Sequence, residues 1–294
     1  MTQDLHRLIA TELQRAVAPG ARAATDDIVR RLGKSVAAVL FYGSCLRTGD
    51  FEDKILDFYV LVDSYRSLWG WRPLTVCNRL LPPNVFYAET VGEDGNVLRS
   101  KYAVLSLSHF ERLMRAFNPS VWARFVQPSR LVYVRDPDIA LRVGDGIADA
   151  FDTAVRSVLP LLPPQPDAAS LWSRLFQETY GAELRSERRG KGAEIYAMNE
   201  AWFNAVHPHL TLTNNQSRGL CVLQWGLRRV QGKFLSVARL IKASFTFDGG
   251  IDYLAWKISR HSGVKIELTP WQRRHPLLAG IVLFWRLRRR GAFS

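Results

Sequence analysis

A short stretch near the start of the chain, FYGSCLRTGDFEDKILDFYVLVD (41–63), contains residues suited to phosphate chemistry. Gly43 and Ser44 follow an apolar run, and Asp57 lies inside the next one. A glycine lets the backbone approach a phosphate, and the amides and the serine hydroxyl can donate hydrogen bonds to a triphosphate. A carboxylate on the following strand can hold Mg²⁺ against the same phosphates. The pattern indicates a nucleotide site with Mg²⁺, unless the Gly-Ser pair only turns the chain and the acid bonds to a loop.

The residue two positions after Asp57 limits the reaction. A carboxylate there would share the metal, because alternate residues of a strand lie on one face about 6.6 Å apart, but the position holds Tyr59. Asp63 would lie about 20 Å away along a straight strand, so Glu89 on a neighbouring strand is the candidate second ligand. A hydroxyl acceptor needs a general base, whereas a phosphate monoester, with a second pKa of about 6, is already ionised. A site with one acid therefore fits a phosphate nucleophile better than a hydroxyl nucleophile. The other interpretation is a protein that has lost its catalytic activity.

The overall charge predicts an anionic partner. The 294 residues include 40 Lys and Arg against 27 Asp and Glu, a formal charge of +13, which admits a nucleotide, an anionic lipid or nucleic acid. The three cysteines, Cys45, Cys77 and Cys221, are widely spaced and odd in number, which argues against a disulfide framework or a zinc site. The N-terminus lacks the unbroken apolar core of a signal peptide, so we expect a mature start there.

The elements that must position these residues form an α+β pattern with a mixed sheet. Residues 4–33 have helical periodicity interrupted by APGA, and 108–117 are amphipathic. Five runs predict strands: SVAAVLFYG, KILDFYVLVD, NVFYAETV, SKYAVLSL and SRLVYVRD.

Proline-rich VLPLLPPQPDA marks a domain edge, because these prolines interrupt a helix. We therefore predict a nucleotide-binding domain over 1–157, a helix-rich domain over 158–268 and a separate segment over 269–294. Around Gly190, Lys191 and Gly192, two short runs predict a hairpin with a basic tip.

The order of several motifs resembles a known family. The Gly-Ser turn followed by an acidic strand is typical of the polymerase-β-like nucleotidyltransferases. FYGSCLR, ILDFYVLVD, NVFY, LRSKYAVLS, VWARFVQPSRLVYV and TYGAELRSERRGKGAEIYAMN resemble, in order, segments of the mitochondrial-type phosphatidate cytidylyltransferases. Cys45 replaces the second glycine of that family's turn, and Glu183 replaces an aspartate. The resemblance runs from about residue 40 to 200 and implies a nucleotidyltransferase domain followed by a winged-helix-like one.

The resemblance also implies substrates and roles. The family makes CDP-diacylglycerol and pyrophosphate from CTP and phosphatidic acid, so these are the expected partners, with Mg²⁺ as cofactor and no nucleic acid. Asp57 and Lys101 would be catalytic, with Asp57 on the metal. The implied substrate-binding residues are Tyr42, Gly43, Ser44, Arg124, Glu183 and Arg185. Composition alone favours an exposed strand-end lysine for Lys101, and Glu183 with Arg185 could equally form a surface ion pair.

The C-terminal segment predicts contact with a membrane surface. Residues 276–285 are all apolar, and a helix over 276–290 would reach about 22 Å, short of a hydrocarbon core of about 30 Å. The expected membrane contacts are Trp285, Arg286, Arg288, Arg289 and Arg290. The other interpretation is a core helix with a basic end. The membrane interpretation predicts a peripheral protein on the cytoplasmic face of a bacterial inner membrane, or on the mitochondrial matrix face.

Three other functions remain open at this point. One is a nucleotidyltransferase that acts on a hydroxyl of RNA or a small molecule, which requires a second acid near Asp57. Another is a non-catalytic scaffold at the membrane surface, for which Asp57 would be dispensable. The third is nucleic-acid binding through the net charge, which predicts a steep salt dependence but has no recognised motif in its favour. Arg239 and Lys242, upstream of a Gly-Gly turn, resemble a basic segment of the family and would help to hold the lipid phosphate.

Overall fold

The computed structural model describes residues 3–51, 54–70, 73–92, 95–183, 190–213 and 216–246, with Thr269 and Trp271. Its fold is α+β, with one five-stranded mixed sheet and helices on both faces. The strands are β1 (Val36–Tyr42), β2 (Ile55–Val62), β3 (Asn84–Val91), β4 (Val97–Ser106) and β5 (Ser129–Val134). All five lie where the sequence predicts them, although β4 begins three residues earlier than expected.

The helices alternate with strands in the first half and follow one another in the second. They are α1 (Gln3–Gln14), α2 (Pro19–Leu32), α3 (Ser44–Thr48), α4 (Tyr65–Trp69), α5 (Pro73–Leu80), α6 (Leu107–Met114), α7 (Trp122–Phe125), α8 (Pro137–Val158), α9 (Ala168–Gly181), α10 (Lys191–Met198), α11 (Glu200–Val206) and α12 (Arg218–Thr246). Short 3-10 helices cover Gly33–Ser35, Leu159–Leu161 and His207–His209.

The sheet order is β3-β4-β2-β1-β5, with β2 and β4 parallel and the other pairs antiparallel. The central strands are apolar on both faces because helices cover both sides. On β2, Phe58 and Val60 pack on the side of α2, whereas Tyr59 and Leu61 pack on the side of α1, α6 and α8. Asp57 alternates with Phe58 and so lies on the second side, at the end of the sheet where β1 finishes.

One continuous core spans the predicted boundary between residues 157 and 158. Phe151 of α8 contacts Trp172 of α9, with ring centroids 5.7 Å apart, and Trp202 of α11 at 6.0 Å. The same cluster extends from Leu5 to Trp225. The division into domains over 1–157 and 158–268 stays a prediction.

The hairpin predicted around Gly190 is wrong, because Lys191–Met198 is the helix α10. Gly192 lies against α9 so closely that a Cβ on it would be 2.1 Å from the carbonyl oxygen of Ser173. The glycine thus permits a helix crossing instead of a turn between strands. Within 158–183, 190–213 and 216–246 there is no strand, so these residues contain no wing of a winged helix.

The predicted C-terminal helix lies outside the described residues. Among the helices that the structure does describe, none combines the length and the apolar content needed to cross a bilayer.

Candidate active site

Three predicted site residues lie side by side across the sheet. Tyr42 on β1 is the register partner of Asp57 on β2, and Asp57 is the partner of Lys101 on β4. Paired residues of neighbouring strands point to the same side of a sheet, and adjacent strands lie about 4.8 Å apart. The lysine is therefore close to the carboxylate because of strand register, and not because it lies at an exposed strand end.

Gly43 shapes the space next to the carboxylate. Its φ of 94° favours glycine, and a Cβ on it would lie 3.0 Å from Oδ2 of Asp57. A larger residue would therefore crowd the acid as well as strain the turn. Cys45, which replaces the second glycine of the family pattern, points away from this space: it is buried, and its Sγ donates to the carbonyl oxygen of Ile55 at 3.1 Å.

Tyr59 occupies the position where a second acid would lie, and its ring belongs to an aromatic cluster beneath the site. Its ring centroid is 5.3 Å from that of Tyr42 and 5.0 Å from that of Phe125. Its side chain is buried, and burial raises the pKa of its hydroxyl. The residue contributes packing and a neutral hydroxyl, and it supplies no negative charge for a metal.

These residues open into a cavity of about 720 Å³. Its floor is the end of β1, β2 and β4, and its walls come from α3, the segment around α7, the end of α9, α10 and α12. Every described residue predicted for catalysis or substrate binding lines it: Tyr42, Gly43, Ser44, Asp57, Lys101, Arg124 and Glu183. Residues as far apart in the chain as Tyr42 and Glu183 thus meet in one place.

The cavity is strongly cationic. Its lining includes two carboxylates, those of Asp57 and Glu183. It includes six cationic side chains, those of Arg47, Lys101, Arg124, Lys191, Arg239 and Lys242. This excess of positive charge in a concave site favours ligands with several negative charges.

Arg124 connects the two carboxylates of the cavity electrostatically. Its guanidinium lies 3.7 Å from Oε1 of Glu183, and its Nε donates to the carbonyl oxygen of Ser120 at 3.2 Å. Burial lowers the pKa of Arg124, but the electrostatic influence of Tyr59 and Tyr42, and after them of Glu183 and Asp57, outweighs burial and raises the pKa overall. Arg124 is therefore held charged and in place, with a third of its side chain exposed for a ligand.

Arg239 and Lys242 bring α12 to the cavity wall. Nε of Arg239 donates to the carbonyl oxygen of Pro82 at 3.0 Å, and another guanidinium nitrogen donates to Oγ of Ser120 at 3.0 Å. Nζ of Lys242 donates to the carbonyl oxygens of Leu81 and Pro83, at 2.6 Å for the second. Both side chains hold the loop that leads into β3 and also line the cavity.

The other predicted acids lie elsewhere. Glu89, the candidate second metal ligand, is not among the cavity residues; it lies 3.5 Å from Arg99 and accepts a hydrogen bond of 2.7 Å from Tyr87. Asp63 follows the far end of β2, where Arg135 donates two hydrogen bonds to it at 2.7 and 2.8 Å. Arg185 and the predicted membrane contacts of 285–290 lie outside the described residues.

The donor set fits Mg²⁺ only together with a substrate. Among the described residues, no cluster of three His, Cys, Asp or Glu side chains could hold a metal ion. Mg²⁺ commonly binds one or two carboxylates and completes its shell with waters and substrate phosphates. Asp57, beside the open space at Gly43, meets that requirement as the protein ligand.

Two cationic cavity residues, Arg47 and Lys191, are not predicted as site residues from the sequence. Arg47 lies three residues after Ser44 on α3, so helical spacing could have placed both on one side of the turn. Lys191 was assigned to a hairpin tip, and only the packing of α10 on α9 brings it to the cavity. The ion pair of Arg124 with Glu183 joins distant segments, and no local pattern indicates it.

No protein-family model matches the chain, and no curated protein is similar to it in sequence. The resemblance to phosphatidate cytidylyltransferases is therefore carried by the sequence motifs alone.

Proposed function

We propose that this chain is a Mg²⁺-dependent nucleotidyltransferase of the polymerase-β-like type. In this proposal it transfers the cytidylyl group of CTP to phosphatidic acid and forms CDP-diacylglycerol and pyrophosphate for phospholipid synthesis. The observation that carries the proposal is the cavity, where the Gly43 turn, Asp57 and Lys101 lie together within a cationic wall. CTP and phosphatidic acid are named from the family resemblance, and both are anions that suit this charge.

The proposed reaction is an in-line displacement at phosphorus. An oxygen of the acceptor phosphate forms a new bond to the α-phosphorus of CTP. The bond from that phosphorus to the oxygen bridging to the β-phosphorus breaks, and pyrophosphate leaves with that oxygen. Negative charge develops on the departing oxygens, so catalysis consists mainly of positioning and electrostatic stabilisation.

The cavity residues can be assigned to these tasks. Ser44 and the turn at Gly43 would donate hydrogen bonds to the triphosphate, and Lys101 and Arg47 would compensate its charge. Arg124 would orient an acceptor or nucleotide phosphate through its exposed guanidinium edge. Asp57 would hold Mg²⁺, which supplies charge neutralisation across the phosphates when bound.

The environment of Tyr59 favours a phosphate acceptor over a hydroxyl one. A hydroxyl must lose a proton to a base during attack, whereas a phosphate monoester is already ionised near pH 7. The position two residues after Asp57 holds a buried aromatic ring, and Glu183 is ion-paired with Arg124. The position on this strand where a hydroxyl acceptor would require a carboxylate therefore holds the buried ring of Tyr59.

The test is turnover by the full chain with Mg²⁺, each of the four nucleoside triphosphates, and phosphatidic acid in mixed micelles. We expect pyrophosphate release with CTP that requires the lipid. Asp57→Asn keeps the shape of the side chain and removes its charge, so we expect a loss of at least about a hundredfold in kcat.

Asp63→Asn is the matched control, because it makes the same change next to the same strand but outside the cavity. It should leave turnover within about twofold of the unchanged protein. Equal turnover in both variants would contradict a catalytic role for Asp57. Turnover with RNA or a sugar alcohol and none with phosphatidic acid would instead identify a hydroxyl acceptor, and a folded chain without any turnover would favour the scaffold.

A further inference from the structure

Two carboxamide side chains that line the cavity, those of Gln127 and Asn199, are held by the backbone in the same way. Nε2 of Gln127 donates to the carbonyl oxygen of Ala123 at 3.1 Å, and Nδ2 of Asn199 donates to the carbonyl oxygen of Ile195 at 3.0 Å. In both cases the acceptor lies four residues earlier in the chain. A carbonyl oxygen only accepts hydrogen bonds, so the nitrogen of each amide, and not its oxygen, must lie on the backbone.

The oxygens of these two amides have no donor from the described residues, since no hydrogen bond there reaches Oε1 of Gln127 or Oδ1 of Asn199. Asn199 precedes α11, where an asparagine commonly accepts from the first amides of a helix, but its side chain makes no such bond. The residue is only 7% exposed, and a buried carbonyl oxygen without a donor is destabilising. Both oxygens are therefore available to a ligand in the cavity.

The two acceptors lie on neighbouring segments of the chain. Nε1 of Trp202 on α11 donates to the carbonyl oxygen of Val126, the residue before Gln127, at 3.0 Å. Trp202 follows Asn199 by three residues, about one turn of α11. This hydrogen bond holds the beginning of α11 against the segment that follows α7. One side of the cavity thus presents two neutral acceptors.

The phosphates of a nucleotide do not suit these acceptors, because ionised phosphate oxygens are themselves acceptors. The residues assigned above to the triphosphate, Ser44, Arg47 and Lys101, come from α3 and β4. The two carboxamides come from the segment after α7 and from the corner between α10 and α11. The part of the nucleotide that meets them must therefore carry N–H or O–H groups.

An exocyclic amine of a nucleobase matches the two oxygens in number. It has two N–H groups, one for each oxygen, whereas a ribose hydroxyl has a single O–H group. Ile195 and Met198 of α10 also line the cavity and offer apolar contact to a flat ring. Cytosine carries an amine at the position where uracil carries a carbonyl oxygen, so uracil would place a third acceptor against the two carboxamide oxygens.

We infer that Gln127 and Asn199 determine the base specificity of the cavity. Their side-chain oxygens accept hydrogen bonds from the amine of cytosine, which selects CTP over UTP. The inference rests on the proposed function, which supplies the pyrimidine nucleotide, and it assigns to these two residues a preference that is otherwise named only from the family resemblance. Neither residue takes part in the displacement at phosphorus; they position the base.

The test measures binding to the full chain with Mg²⁺ and without lipid, by titration calorimetry. The ligands are CTP, UTP and the triphosphate of pyrimidin-2-one riboside, which carries hydrogen in place of the amine. We expect CTP to bind about tenfold more tightly than the pyrimidinone nucleotide, and UTP to bind more weakly than both.

Two variants remove one acceptor each and keep the approximate size of the side chain. Asn199→Leu should lower the ratio of the UTP to the CTP dissociation constant by about tenfold, and Gln127→Met should lower it by about threefold. The ratio is the readout because loss of the bond to Ile195 or Ala123 would weaken the local structure and affect both nucleotides equally.

Asn118→Leu is the matched control, because Asn118 also lines the cavity but its Oδ1 already accepts from the backbone N–H of Ser120 at 3.1 Å. Its ratio should equal that of the unchanged protein. Equal affinity of the unchanged protein for CTP and UTP would overturn the inference, and so would a ratio that neither Asn199→Leu nor Gln127→Met alters. A loss of affinity that is equal for CTP and UTP and disappears with 2′,3′-dideoxy-CTP would assign the oxygens to the ribose and overturn it too.

Failure here is distinguishable from failure of the proposed function. Selection of CTP that depends on Asn199, in a chain that shows no turnover with phosphatidic acid, would contradict the proposed reaction and support this inference. Turnover of CTP with phosphatidic acid, with a nucleotide ratio unchanged in both variants, would have the opposite meaning. A folded chain that binds no nucleoside triphosphate would contradict both.

Discussion

The charge of Lys242 depends on pH near neutrality. Burial, and after it the neighbouring Arg239, lowers the pKa of this ammonium to about 8, although Cys77 of α5 opposes the shift. Lys242 is thus charged below about pH 8 and loses its charge as the pH rises through that value. The unfolded chain binds this proton more tightly up to about pH 10.5, so between these values the residue makes the free energy of unfolding rise with pH.

We therefore expect kcat/KM for the anionic substrates to fall above pH 8, because the cavity loses one positive charge. Lys242→Arg keeps its charge at high pH and should remove most of that fall. Lys54→Arg is the control, since Lys54 pairs with Asp50 and is not a cavity residue. A pH profile of kcat/KM that is identical for all three proteins would assign the fall to another group.

At the level of single residues, the sequence predicts the floor of the cavity better than its walls. Asp57 and Gly43 stand out locally, because a carboxylate inside an apolar run and a glycine at its end each need an explanation. Lys101 followed from family resemblance, and strand register places it beside Asp57. The partner of Arg124 and the position of Lys191 depend on how distant helices pack, so no spacing within the chain contains that information.

Two glycines of α12 test how the helix positions the cavity. A Cβ on Gly232 would lie 2.0 Å from the carbonyl oxygen of Ala182, next to Glu183, whereas a Cβ on Gly226 would meet nothing within 4 Å. Gly226→Ala should raise the free energy of unfolding by about 0.5–1 kcal/mol, because alanine favours a helix. Gly232→Ala should lower it by about 1–3 kcal/mol through overpacking.

Urea unfolding of both variants measures these changes, and steady-state kinetics add a second result. Gly232→Ala should also raise KM, because a displaced Ala182 moves Glu183 and its partner Arg124. Gly226→Ala should leave KM unchanged. If Gly232→Ala were as stable and active as the unchanged protein, the close crossing of α12 would not determine the geometry of the cavity.

At the level of elements, the strands were predictable because apolar runs bounded by turn residues have few other interpretations. The prediction of a hairpin at 190–198 was wrong because it also relied only on local sequence. Gly190 and Gly192 in a basic run are typical of a hairpin tip, but Gly192 is required by the contact of α10 with Ser173 on α9. A glycine that serves a turn and one that serves a helix crossing are identical in sequence, and only the tertiary contact separates them.

For the whole molecule, the continuous core predicts that the sheet and the helices after residue 157 unfold together. Phe151 connects them through its contacts with Trp172 and Trp202. Phe151→Leu leaves a partly filled space and should lower the free energy of unfolding by about 1–2 kcal/mol for the whole chain. Amide hydrogen exchange of α9 reports the helices, and amide hydrogen exchange of β1 reports the sheet. Coincident shifts of both probes indicate one cooperative unit. If only α9 lost protection while β1 kept its own, the predicted boundary near residue 157 would separate two independently folding domains, and the cavity would lie between them.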